Sequence, residues 1–138
     1  MVPKFRAWDK RENTMRDVAV LHFTKGGKVN SIEYWNTPFD LKSYHVRNLV
    51  LMQSTGLKDK NGVEIFEGDV VSVRNHPFQK TEKSGAGIEI DGDYAISWNE
   101  SDLTWCAGNL LLARLKPYVT VAGNVWENPE LLEKANES

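Results

Sequence analysis

Asp59, Asn61 and Glu64 set oxygen-bearing side chains on either side of Gly62, in the stretch TGLKDKNGVEIFEGDVVSV from Thr55 to Val73. That is the vocabulary of a calcium loop, which places a carboxylate first, a glycine sixth and a bidentate glutamate twelfth. With Gly62 in the sixth place, Leu57 falls first and Gly68 twelfth, so both obligatory ligands are missing. A carboxylate pair is a second reading, because Glu64, Glu67 and Asp69 lie close together and Asp91 and Asp93 flank a glycine. Acid–base chemistry of that kind needs two carboxyls converging across a cleft, and a charged surface supplies neighbouring acids without one. His22, His45 and His76 fall in three separate segments at no metal-ligand spacing. Cys106 follows Trp105 in apolar surroundings, which suits a buried structural thiol better than a nucleophile. The chain has no Gly-x-Ser-x-Gly elbow, no Gly-Lys-Ser/Thr phosphate loop and no dinucleotide fingerprint. No cofactor or metal is implied, and no residue makes a case for an enzyme.

Binding is better supplied than catalysis. Trp35, Trp98 and Trp105, with Arg74 and Arg114 and the loop residues Lys80 and Lys83, have the make-up of a stacking surface on a β-sheet. The commoner use of the same residues is tryptophans as core anchors and lysines solvating loops. Seventeen basic against nineteen acidic residues leave a net charge of −2. No field of the whole chain therefore attracts a phosphate backbone, and nucleic-acid binding would need a local patch. A single cysteine excludes an internal disulfide and any multi-cysteine zinc site. With 138 residues, 41% hydrophobic and 26% charged, the chain has the size and composition of one globular domain with a real core. The opening MVPKFRAWDK has no apolar export segment, and no apolar run is long enough to cross a bilayer as a helix. The expectation is a soluble, cytoplasmic protein without membrane contact.

The elements that must position these residues read as short strands. KFRAWD alternates, DKRENT is a polar turn, and MRDVAVLHF from Met15 to Phe23 returns. Gly26-Gly27 marks a turn, and KVNSIEYW alternates again with a slip in phase between Val29 and Ile32 that predicts a bulge or a late start. NTPFDLKSYHVRN reads as a loop with one helical turn, and LVLMQ as a buried strand. Asn61-Gly62 is a hairpin dipeptide, since both of its turn positions need positive φ. Residues His76 to Gly87 read as a long polar loop, and GIEIDGDYAISW as two strands about Asp91-Gly92. The run Leu110 to Leu115 fits helix or strand alike. Asn128 as cap, Pro129 at the first helical position and Glu130 beside the dipole predict a terminal helix.

Three blocks carry a resemblance. KFRAWDKRENTM, LMQSTGLKDKNGVEIFEGDVV and VAGNVWENPELLE, in that order and spacing, resemble the YopX family of phage and prophage proteins, with Arg74 to Lys116 as a variable region. Ser54 stands where the family usually has an aromatic residue, and Trp126 where tyrosine is common. The resemblance implies a small cytoplasmic β-rich protein; the family has no established activity, so no catalytic or cofactor residues carry over. Within the middle block Gly56, Asp59, Asn61, Gly62, Glu67, Gly68 and Asp69 read as structural, with Gly68 pivoting the chain into the strand Val70 to Val73.

The expected fold is α+β, mostly β: an antiparallel N-terminal lobe over about residues 1–60, packed on an SH3-like, partly open barrel with a C-terminal helix over about 61–138. The expected function is a non-catalytic protein-interaction module acting on a host or phage partner, with self-association through open edges as a further option. The alternative is a nucleic-acid-binding accessory factor in phage DNA metabolism.

Overall fold

Alternation of side chains along short segments produces an almost entirely β structure, seen here as a computed structural model that describes residues 4–77 and 90–132. Two antiparallel sheets of six and five strands account for it, with one short helix and no closed barrel among the described residues. By its contacts the chain divides into two units after Ser54.

The first unit holds β1 (Phe5–Asp9), β2 (Thr14–Phe23), β3 (Val29–Thr37), β4 (Asp40–His45) and the start of β5 (Leu49–Lys58). The sheet order is β4-β3-β2-β1-β5. Its core is Ala7 of β1, Ile32 and Tyr34 of β3 and Leu49 of β5, with Val18, Leu21 and Tyr44 packed against them. Phase decides this selection: residues two apart on a strand share a face, so burial of Ile32 and Tyr34 turns Glu33 and Trp35 to the opposite side. The slip read between Val29 and Ile32 is a register shift at Asn30, since His22 pairs with Ser31 but Phe23 with Val29.

One segment departs from its sequence reading. NTPFDLKSYHVRN is not chiefly loop: Asp40–His45 pairs with β3 from Ser31 to Thr37, and only Val46–Asn48 makes a single 3-10 turn. The strand escapes a pattern search because it lies at a sheet edge, where almost every side chain is exposed and no apolar alternation is required.

The second unit begins within β5, which also carries β6 (Glu64–Phe66). Its five-stranded sheet runs β10 (Leu110–Leu111), β9 (Thr104–Ala107), β8 (Gly92–Asn99), β7 (Asp69–Val73) and β11 (Val119–Asn124). Val70, Val71 and Val73 of β7 are fully buried, as a central strand with both faces covered requires. The core gathers Ile65, Val71, Val73, Ile96, Ala107, Leu112, Leu115 and Val119. The ambiguous run Leu110 to Leu115 is both things at once: two residues of strand, then one turn of helix, α1 (Leu112–Leu115), whose two leucines enter the core. Cys106 is free and buried.

The polar loop read from His76 to Gly87 lies outside the described residues from 78 to 87, as does the expected terminal helix beyond Leu132. What is described of that helix differs from its sequence reading in one respect. The Asn128 side chain accepts from the backbone N–H of Asn124 at 3.2 Å, turning back onto the end of β11.

Candidate functional site

The middle block is built around two buried aspartates. Asp59 Oδ1 accepts from the backbone N–H groups of Asn61 at 2.8 Å and Val63 at 2.9 Å, which closes the turn over Gly62. Its Oδ2 accepts from Val121 N–H of β11 at 2.9 Å. Burial by itself would raise the Asp59 pKa; the N–H groups of Val121, Val63 and Asn61, with the Lys60 ammonium, outweigh it and hold the carboxyl below its ordinary value of 3.8. Three backbone donors thus occupy the oxygens that a cation would need, and no cluster of metal-ligating side chains occurs among the described residues. Asp69 Oδ2 accepts from Phe66 N–H at 2.8 Å, bracing the turn at Glu67 and Gly68. Gly56, Gly62 and Gly68 have φ of 78°, 83° and 83°, the left-handed region open to glycine. Asn61 does not have the positive φ expected of it: the Gly62 N–H donates to Asp59 C=O, so the loop needs that conformation at Gly62 alone.

The middle and terminal blocks also meet. Gly68 donates to Ile96 C=O at 2.9 Å and accepts from Val125 N–H at 2.8 Å. Asn124, nearly buried, accepts from Trp126 and Glu127 N–H with its Oδ1. These contacts fix the route of the chain, with the Asn124 Nδ2 donating to Glu127 Oε1 at 3.2 Å.

Asp91 and Asp93 are likewise engaged. Asp91 accepts from Asn75 and His76 N–H, and Asp93 from Ser72 Oγ at 2.6 Å and Arg74 Nη2 at 3.3 Å. His22 pairs with Glu33 at 2.9 Å on the sheet surface.

The aromatic and cationic residues singled out for binding are spread over both units. Trp98 and Trp105 are cross-strand partners, edge to face at 5.2 Å, and Trp98 Nε1 donates to Glu100 at 2.6 Å. Arg74 is tied to the other end of β8, by Asp93 and by the carbonyls of Val73 and Gly92. Trp98 lies five positions along β8 from Asp93, roughly 17 Å. Arg114 lies on α1 and lines a cavity of about 370 Å³ with His76, Ile90, Leu110 and Leu115. Trp35 belongs to the first unit, with 48% of its surface exposed.

Two surfaces of the first unit went unread in the sequence. Val20, Trp35 and Leu41 lie on one face of β2, β3 and β4: Trp35 is opposite Leu41, and Val20 is opposite Glu33, two residues from Trp35. All three are exposed, as is Phe39 in the turn that joins β3 to β4. Val20 further lines an apolar hollow of about 760 Å³ with Phe5, Leu21 and Phe23. A polar groove of about 440 Å³, lined among others by Arg16, Tyr34, Asn36, Lys42 and Tyr44, with Glu12, is the second. The signal for the first was present in the alternation of β3; the partner strand that completes it, β4, was not recognisable.

No curated protein matches the chain. A solved structure, protein EF1440 from Enterococcus faecalis, is similar over 96% of this chain and 99% of its own, at 30% identity and a TM-score of 0.64. The family model described as YopX protein matches residues 4–133. The chain belongs to the YopX family.

Proposed function

We propose that the protein is a non-catalytic protein-interaction module that receives an extended segment of a host or phage partner protein along β4. One observation carries this reading: Val20, Trp35 and Leu41 stand exposed on one face beside a strand that ends its sheet. An edge strand offers unpaired N–H and C=O groups to an added strand, and apolar side chains beside it supply pockets for alternate residues. A tryptophan at the centre is the residue type in which binding energy concentrates. For the second unit we propose the finer description of a partly open, SH3-like barrel, supported by its five antiparallel strands about β7.

Nucleic-acid binding has less support. The Trp98–Trp105 pair is accompanied by Glu100, whose charge repels phosphate, and Arg74 is held at the far end of β8.

The test is affinity capture from extract of a natural host, with and without nuclease, using the wild type and a Trp35→Ser, Leu41→Ser variant. A stoichiometric protein that survives nuclease and is lost with the variant is the expected result. Capture that vanishes with nuclease, or is unchanged in the variant, would overturn the reading.

A further inference from the structure

The opening block KFRAWDKRENTM builds more than a turn. Asp9 is fully buried and divides its two oxygens between two tasks. Oδ1 accepts from the N–H groups of Arg11 at 3.0 Å and Glu12 at 3.2 Å, which shapes the connection between β1 and β2. Oδ2 accepts from both Nε and Nη2 of Arg16 at 3.3 Å. The Arg16 guanidinium is thereby fixed over the ring of Tyr34, 4.6 Å from its centroid, with Nη1 left uncommitted. Fixing an arginine in this way removes the entropy cost that ordinarily weakens its contacts.

Arg16 faces the polar groove. On the neighbouring strand Lys42 is the cross-strand partner of Tyr34 and lines the same hollow, as do Asn36 and Tyr44. Lys42, Asn36 and the two tyrosine hydroxyls have no hydrogen-bond or ion-pair partner among the described residues. Arg11 lies 6.0 Å from the ring of Tyr44. Arg11, Arg16 and Lys42 stand against Asp9 and Glu12, so the groove and its rim keep one positive charge in excess after the Arg16–Asp9 pair is counted. The groove therefore favours an anion and offers it convergent donors. It does not offer a stacking face: Tyr34 is 3% exposed and Arg16 covers its ring.

We propose that this groove binds the phosphate group of a small ligand, with Arg16 and Lys42 meeting its oxygens and the tyrosine hydroxyls and Asn36 completing the shell. Arginine and lysine are the side chains that phosphate recognition uses. A hollow of about 440 Å³ is within the range of small-molecule sites and suits a ligand of nucleotide or sugar-phosphate size.

The test is titration of the full chain, followed by backbone amide NMR and calorimetry, with inorganic phosphate, adenosine monophosphate, ribose 5-phosphate and uncharged adenosine. Saturable binding of the phosphate-bearing probes, with shifts at Arg16, Tyr34 and Lys42, is expected, and none from adenosine. The strongest of the three phosphate probes then identifies the source of the group. Lys42→Gln, at an exposed strand position that leaves the core untouched, should weaken binding about tenfold or more. Arg16→Gln should do the same, with circular dichroism checking that the fold persists. Equal binding of adenosine, absence of saturation by any phosphate probe, or a Lys42→Gln variant that binds as well as wild type would overturn the assignment.

Discussion

Asp59 is the residue on which local and long-range structure meet. Its three backbone donors come from its own turn and from β11, so removal of the carboxylate strands buried N–H groups in both. Asp59→Ala should cost about 3 kcal/mol, measured by urea unfolding. Because the folded pKa is lowered, Asp59 contributes stability above its unfolded value, and that contribution is lost as pH falls through the folded one. Below about pH 4 the wild type should thus lose stability more steeply than Asp59→Asn, which cannot titrate. A variant whose stability falls with equal slope would remove Asp59 from this role. Gly68, at φ of 83°, gives a companion prediction: Gly68→Ala should cost about 1 kcal/mol or more from the left-handed backbone, and unchanged unfolding would refute it. Both residues were legible in the sequence, because turn chemistry is local. Val121 as the third donor was not, since it lies 62 residues away.

Among the elements, α1 and β4 illustrate two ways in which pattern fails. The run LLLARL is apolar at too many positions for its period to choose between strand and helix. Packing chooses: α1 places Leu112 and Leu115 in the core while Leu111 stays exposed. Leu112→Ala should therefore cost about 2–5 kcal/mol and Leu111→Ala less than about 1 kcal/mol by chemical denaturation. Equal losses at the two positions would mean that the turn is not formed as described. For β4 the opposite holds. Its polar residues give no alternation, and it becomes a strand because β3 has a free edge of backbone groups to satisfy. The apolar face of Val20, Trp35 and Leu41 depends on that pairing, so the face as a whole could not be read until β4 was in place.

For the whole molecule, the balance of charge sets an expectation that no single site alters. With a net charge of −2, the chain should show no measurable binding to random duplex DNA at about 0.15 M salt in a gel-shift assay. Micromolar binding that weakens steeply with salt would contradict it. The two units each have their own buried cluster, centred on Ile32 in the first and Ile96 in the second. Neither cluster could be enumerated from the sequence. Their members come from strands whose neighbours in the sheet are set by topology, as when β11 pairs with β7 across some fifty residues of chain.

By itself the sequence determined the β character, a turn at Gly62 though not its type, the pivot at Gly68, the burial of Cys106 and the family. Each of these rests on local stereochemistry, on side-chain period or on block similarity. Tertiary structure alone decided which side chains became neighbours. It put Asp59 against β11, turned one end of LLLARL into helix, and drew Arg16 over Tyr34 beside Lys42. The physical reason is the same in each case: strand pairing and buried hydrogen bonds join residues far apart in the chain, and no local preference specifies the partner.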